Sequence, residues 1–436
     1  MVSATMRRVA ADETHLSEDR SDPDEQHSRF AGSLPALALG SFALYPLISL
    51  VLLPEGTRSP LGRGVALLLI GSALAAALAI ARWAPGWIRI AAMLVTGFVG
   101  TAVTGGVIAK RLASGIGVRE LAGILFAAAS VTLVVIGWRR GLHGIRRAWG
   151  RVAVGFLGSV LVAQLVLLPA VFAIDATNRP RPEASGRTPG DVGLVFRDVR
   201  IETRDGVQLA AWWIPSRNGA AVLVLPGAGS TRDDVLNHAA LVAGEGYGAL
   251  LLDWRGHGGS EGRLHEFGWG AEADVRTAVS WVVRQPGVTQ GVGLLGLSMG
   301  GEVAVTAAAE DTRVAAVVAE GVSVRTFADA RQRSNQWAIP LENDALMFGL
   351  VRLLGSASPP EPLVDAFRRI GDRPVLLIAG DDPAEAELGP LYASLAPETV
   401  TLWGLPGTGH IQALSTHPDE YRTRVLSVFD GALLAR

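Results

Sequence analysis

In Gly293-Leu294-Leu295-Gly296-Leu297-Ser298-Met299-Gly300-Gly301 a short apolar run ends at Gly296-x-Ser298-x-Gly300, and the Ala-rich segment Glu302–Glu310 follows at once. Strand, sharp turn and helix in immediate succession, with small residues on both sides of a serine, are what a nucleophile elbow requires. Bulkier neighbours would clash in so tight a turn. Ser298 is therefore the candidate nucleophile. The competing interpretation is a strand-to-helix loop whose glycines serve packing alone, and the segments on either side decide between the two.

Short apolar runs alternating with helical stretches lie to both sides. Val195–Thr203 and Gln208–Ile214 flank an Arg204-Asp205-Gly206 turn, as in a hairpin. Ala221–Leu225, Ala249–Asp253, Val292–Gly296, Val314–Ala319, Val375–Ala379 and Val400–Leu402 follow. Strands that are apolar throughout and separated by helices predict an α/β fold, with a mostly parallel sheet covered by helices on both faces. In such a sheet the site forms at the carboxyl ends of the strands.

The N-terminal part of the chain has a different character. Across 436 residues, 49% are hydrophobic and only 18% charged, and the mean hydropathy is +0.32, high for a chain that faces water throughout. Residues 1–33 are polar and mixed in charge, a composition expected of a disordered tail. From Leu34 come five apolar runs: Leu34–Leu53, Val65–Ala81, Ile90–Ala109, Leu121–Trp138 and Val152–Ile174. Each approaches the roughly 20 residues that cross a bilayer as a helix. Residues 34–174 are thus expected to be an all-α transmembrane region of five helices, 175–191 a Pro- and Gly-rich linker, and 192–436 the catalytic domain. Arg82 and Arg89, together with Arg139, Arg140, Arg146, Arg147 and Arg151, fall on the same side of five spans as the N-terminus. The positive-inside rule then places the N-terminus in the cytoplasm and the domain after Ile174 outside. Lys110 is the one lysine among 39 basic residues, a usage suggesting a high-GC bacterium, so the expected location is a bacterial plasma membrane. The lipid bilayer is the expected partner. A net charge of −2 gives no basis for a nucleic-acid partner, and the absence of cysteine removes disulfides, thiolate metal sites and a cysteine nucleophile.

A serine nucleophile needs a base, an acid to orient the base, and N–H donors for the oxyanion. His410, in the Gly-rich loop after the last strand, is the candidate base. The acid candidates are Asp382 and its neighbour Asp381, directly after Val375–Ala379. Asp382 is favoured, although an Asp before Pro383 could equally cap the next helix. The backbone N–H groups of Met299 and of Ala228, in Pro226-Gly227-Ala228-Gly229-Ser230, are the oxyanion candidates. That loop lacks the Lys-Ser/Thr ending of a Walker loop and the third glycine of a dinucleotide fingerprint, and no cofactor or metal is expected.

From Val195 to the C-terminus these features resemble the α/β-hydrolase superfamily, whose catalytic groups follow the order Ser, Asp, His. Asp253-Trp254-Arg255-Gly256-His257-Gly258-Gly259 is similar to the segment after the fourth strand in many members. The resemblance implies structural roles for Asp253, Arg255 and His257. Asp274 and Trp281 match the helix before the elbow. Pro226 stands where members commonly carry the histidine of His-Gly, and the acid loop is one residue shorter than Gly-x-x-Asp, which keeps Asp381 beside Asp382. Residues 321–373 form a mainly helical insertion of the kind that serves as a lid, and its apolar content suggests an acyl or otherwise apolar substrate. The expected function is a membrane-anchored serine hydrolase acting on an ester, thioester or amide through an acyl-enzyme. The alternatives are an acyltransferase using the same groups and a non-catalytic sensing or scaffold module.

Overall fold

A computed structural model describes residues 181–262, 267–333, 341–355 and 357–434, a helix at Leu168–Asn178, and isolated positions between 83 and 164. The chain divides into two compact units, Met1–Leu52 with Leu67–Leu161, and Leu53–Ala66 with Val162–Arg436. The polar tail and most of the five apolar runs lie outside the described residues. Among the described residues no helix is long and apolar enough to cross a membrane.

The second unit is built on eight strands: β1 (Arg197–Glu202), β2 (Gln208–Ile214), β3 (Ala221–Leu225), β4 (Gly248–Leu252), β5 (Val292–Leu297), β6 (Val314–Glu320), β7 (Val375–Ala379) and β8 (Val400–Gly404). They form one sheet in the order β1-β2-β4-β3-β5-β6-β7-β8. β1 and β2 are a hairpin, β2 runs antiparallel to β4, and every other pairing is parallel. The hairpin turn needs glycine at Gly206, where φ is +82°, a left-handed conformation that costs other residues energy. Every residue of β3, β4, β5, β6 and β7 is buried, as expected of strands covered on both faces.

Because side chains alternate across a strand, the sheet separates two apolar layers. In β3, Ala221, Leu223 and Leu225 enter one layer while Val222 and Val224 enter the other. The helices are α1 (Leu168–Asn178), α2 (Leu236–Gly244), α3 (Ala271–Val282), α4 (Met299–Glu310), α5 (Phe327–Ala330), α6 (Leu341–Leu354), α7 (Leu363–Arg368), α8 (Pro383–Leu395), α9 (Ala413–Thr416) and α10 (Pro418–Phe429). α3, α4, α7 and α8 cover the first layer, and α2 and α10 the second.

The insertion between β6 and β7 divides in two. α7 is part of the core: Leu363 and Phe367 are buried, and the Phe367 ring stacks on Tyr392 of α8 at 4.8 Å. α6 belongs to a smaller, separate apolar cluster with Trp269, Ala330 and Ala173 of α1.

Candidate active site

The carboxyl ends of β3, β5, β6, β7 and β8 carry the loops from which the site is made. Ser298 stands between β5 and α4 with φ +53° and ψ −123°, a conformation L-residues adopt only when their surroundings impose it. The imposition is visible on both sides. The Ser298 N–H donates to the Glu320 carbonyl oxygen at 2.7 Å, and the Ser298 carbonyl accepts from Gly301 and Glu302 at 2.8 and 3.1 Å as α4 begins. A Cβ on Gly296 would collide with the Gly300 carbonyl oxygen, and one on Gly300 with the carbonyls of Leu225 and Pro226. The glycines around the serine are therefore there for close backbone approach, and Gly300 presses the elbow onto the β3 loop. Gly227 in that loop lies behind Ser298, its missing Cβ 3.4 Å from the Ser298 Cβ. Met299 opens α4, so its N–H is one of the first-turn donors that have no intrahelical acceptor. Ala228 lies exposed on the neighbouring loop.

His410 follows β8 in the loop that starts at Leu405. Its ring packs against Gly321, whose missing Cβ would sit 2.9 Å from His410 Cε1. Gly321 directly follows Glu320, the residue that holds the Ser298 N–H. The Glu320–Gly321 step therefore has the nucleophile backbone on one residue and the imidazole on the next. Ser298 is half-buried and His410 is exposed enough to meet solvent.

The carboxylate that meets His410 is neither of the two sequence candidates. His410 Nδ1 makes a short hydrogen bond to Glu385 Oε1, and Glu385 is buried. Its other oxygen accepts from the Gly380 N–H at 3.0 Å. Asp382 is instead the N-cap of α8: its Oδ1 accepts from the N–H groups of Ala384 and Glu385 at 2.9 and 3.4 Å. Asp381 ties the β7 loop to the β8 loop, its Oδ2 accepting from the Gly407 N–H at 2.6 Å and its N–H donating to the Thr408 carbonyl at 2.8 Å. The physical reason for the displacement is helix geometry. The cap at Asp382 with Pro383 next starts α8 at once, so no loop remains from which an aspartate could reach His410. Glu385, three residues past the cap in the first turn, spans the gap with one more methylene. Its negative charge also stands at the helix end where first-turn N–H groups favour it. The shortened Gly380-Asp381-Asp382-Pro383 loop was the signal in the sequence, because it moves the helix start up to the acid position.

An ionised carboxylate only accepts, so Nδ1 carries the proton it shares with Glu385 and Nε2 is left as acceptor. The hydrogen bond to Glu385 raises the His410 pKa above its ordinary value against the opposing effect of burial, and the charges of Glu385, Asp382 and Glu302 add to the rise.

Two further carboxyls lie under the site. Burial pushes Glu320 up to about 7, with Oε1 accepting from the Ala413 N–H at 2.8 Å. Burial likewise pushes Glu302 up to about 7, its Oε1 accepting from the Ser323 N–H and hydroxyl, each at 3.1 Å. Beside them the fully buried Arg325 donates to Thr306 of α4 at 2.8 Å, to the Phe267 carbonyl at 3.1 Å, and through short bonds to Glu272 and the Gly268 carbonyl. This arginine fixes the Phe267–Gly268 loop against the nucleophile helix.

The remaining histidines of the domain that the structure describes do other work. His257 is buried with Nδ1 3.2 Å from the Arg255 carbonyl. His238 is enclosed in α2 against Tyr421, and burial lowers its pKa to about 4. His417 Nε2 lies 3.3 Å from the Thr408 hydroxyl. Arg255 pairs with Asp274 and Asp205, and Asp253 accepts from the Arg232 and Gly259 N–H groups at 2.7 and 2.9 Å, so this segment braces the β4 loop. Among the described residues no group of His, Asp and Glu is arranged to hold a metal ion.

Residues 204–372 match the family profile of the X-Pro dipeptidyl-peptidases (S15 family). An uncharacterized protein of Mycobacterium tuberculosis is 33% identical over 239 residues, which is 53% of this chain and 76% of that protein. A polyketide transferase of Penicillium sp. is 37% identical over 127 residues, covering 28% of this chain and 43% of the relative. Among solved structures, an esterase of Pyrococcus furiosus aligns with a TM-score of 0.48 at 24% identity, over 58% of this chain and 97% of the esterase. With the strand–turn–helix elbow at Ser298 and the mostly parallel sheet, these similarities show that this chain belongs to the α/β-hydrolase superfamily and is an enzyme of that type.

Proposed function

We propose that the chain is a membrane-anchored serine hydrolase in which Ser298 is the nucleophile, His410 the base and Glu385 the orienting acid. The hydrogen bond from His410 Nδ1 to the buried Glu385 carries this reading. Ser298 Oγ attacks the carbonyl carbon of an ester, thioester or amide while His410 Nε2 takes its proton. The tetrahedral oxyanion is held by the N–H groups of Met299 and Ala228. The bond to the leaving group breaks as His410 returns the proton to it, and water, activated by the same imidazole, releases the acid and restores Ser298. Glu385 holds the imidazole in the productive tautomer and stabilises the imidazolium.

The five apolar runs before Ile174 support multi-pass insertion in a bacterial plasma membrane, and the arginine distribution supports an extracytoplasmic catalytic domain. Proteolysis of intact cells tests this, and protection of the hydrolase domain would reverse the orientation. For the chemistry, Ser298→Ala should lower turnover of a p-nitrophenyl ester by about 10⁴-fold or more and abolish labelling by a fluorophosphonate. Undiminished activity in that variant would refute the assignment. Likeness to a polyketide transferase favours acyl transfer as a second reading. It would appear as ester product when an alcohol acceptor is added to a long-lived acyl-enzyme.

A further inference from the structure

α1 begins inside the last apolar run, Val152–Ile174, whose 23 residues include no charged side chain. Within the second unit it packs on α6 more extensively than any other two helices pack among the described residues. Ala173 of α1 and Phe348 and Val351 of α6 are buried together in one apolar cluster. The described end of that apolar run, Leu168–Ile174, is therefore packed into the second unit.

The cluster also borders the first turns of α4, the helix that follows Ser298. Phe267 lies 5.4 Å from Phe348 between ring centroids, and Trp269 stacks on Phe348 at 6.4 Å. Gly268, between those two aromatic residues, has its missing Cβ 3.0 Å from Met299 Cγ and 2.9 Å from Val303 Cγ2, in the first turns of α4. Phe267 is held at φ +51°, where Arg325 takes its carbonyl, so the aromatic pair is kept in place by a buried ionic network. An apolar wall thus runs from Met299, the residue after Ser298, through Gly268 and its neighbour Phe267 to Phe348 and α1.

At its outer end the wall is exposed. Five large apolar residues of the second unit are exposed among those described, and three of them are on this helix pair: Leu168 and Phe172 of α1, the latter 55% accessible, and Leu353 of α6. Leu168 and Phe172 are four residues apart and share one helix face. In water such exposure forgoes about 25 cal/mol for each Å² of apolar surface. Continuity with an uncharged run long enough to cross a bilayer selects a lipid phase as the occupant of this face.

We propose that α1 is a working part of the lid: the α1–α6 pair rests on a lipid bilayer and passes a long acyl chain from the lipid phase along the Phe348–Phe267 wall to Ser298. The proposal rests on the hydrolase reading above and specifies its substrate class. The test uses the full chain reconstituted in phosphatidylcholine–phosphatidylglycerol vesicles, with p-nitrophenyl palmitate in the bilayer and p-nitrophenyl acetate in the buffer. Phe172→Asp and Leu353→Asp, each at an exposed position, and Phe348→Ala on the wall should each lower the palmitate-to-acetate ratio of kcat/KM by tenfold or more. Fluorophosphonate labelling of Ser298 in the same samples reports that the site is folded. An unchanged ratio in labelled Phe172→Asp and Leu353→Asp proteins overturns the proposal alone. Failure of the unmodified protein to hydrolyse acetate or to label at Ser298 overturns the hydrolase reading and this proposal with it.

Discussion

Replacing Glu385 by glutamine removes the charge that holds His410 while conserving nearly every atom of the side chain. The Gly380 N–H can still donate to the amide oxygen, so the α8 start and the β7 loop should survive. What changes is the partner of His410 Nδ1. An amide can present its NH₂ to the ring and so favour the tautomer with the proton on Nε2, which cannot accept from Ser298. The imidazolium formed during attack also loses its counter-charge. In serine hydrolases this exchange of carboxylate for amide lowers kcat by about 10⁴-fold, so a loss of 10³ to 10⁴ is expected here, or about 4–5.5 kcal/mol of transition-state stabilisation. The pH profile gives a second readout. Glu385 is the main cause of the raised His410 pKa, so the acidic limb of kcat/KM should lie above pH 6.5 in the native protein and move down in Glu385→Gln. Asp382→Asn is the control, because asparagine caps a helix as well as aspartate does. Its turnover should stay within a few fold of the native value, with a small downward movement of the same limb. Steady-state kinetics on a p-nitrophenyl ester from pH 5 to 9 measures both. If Asp382→Asn is inactive while Glu385→Gln keeps more than about a tenth of its turnover, the assignment of the acid is wrong.

Three further outcomes follow from the same geometry. Gly300→Ala places a methyl group against the Leu225 and Pro226 carbonyls and should destabilise the domain by about 3 kcal/mol or more, read by urea unfolding; a native-like midpoint would contradict the close approach described here. Gly321→Ala combines φ +76° with a Cβ 2.9 Å from His410 Cε1 and should displace the imidazole, lowering kcat by about 10²-fold with little change in KM. Glu302 has a folded pKa of about 7 against an ordinary 4.5, so its contribution to stability is complete below pH 4.5 and is lost as pH rises through 7. Glu302→Gln should therefore gain stability relative to the native protein at pH 8 but not at pH 4, by at most about 3 kcal/mol; parallel unfolding curves at both pH values would count against it.

Much of the fold was legible because its determinants are local. Continuous apolar runs in β3, β5 and β7, the Arg204-Asp205-Gly206 turn and the small residues around Ser298 each specify conformation within a few residues. The elbow in particular can be read directly, since a serine at positive φ needs small neighbours wherever it occurs. The insertion was legible as helical, but the hydrophobicity of Leu363–Arg368 and of Leu341–Leu354 is alike, and only packing separates α7 in the core from α6 on the outer cluster.

The sequence by itself thus determined the α/β architecture, the place of Ser298 on it, and the loops that meet at one edge of the sheet. Tertiary structure alone decided which carboxylate serves His410, because that depends on where α8 starts in space and on a glutamate reaching from its first turn. Asp382 lies nearer to the expected position along the chain, yet its Oδ1 accepts from two backbone N–H groups at the start of α8. Tertiary structure likewise decided that α1 packs with α6, since the cluster shared by Ala173 and Phe348, 175 positions apart in the chain, leaves no local mark in either segment. Residues that shape their own backbone announce themselves in sequence; residues that act through a distant partner become visible only when the chain has brought that partner to them.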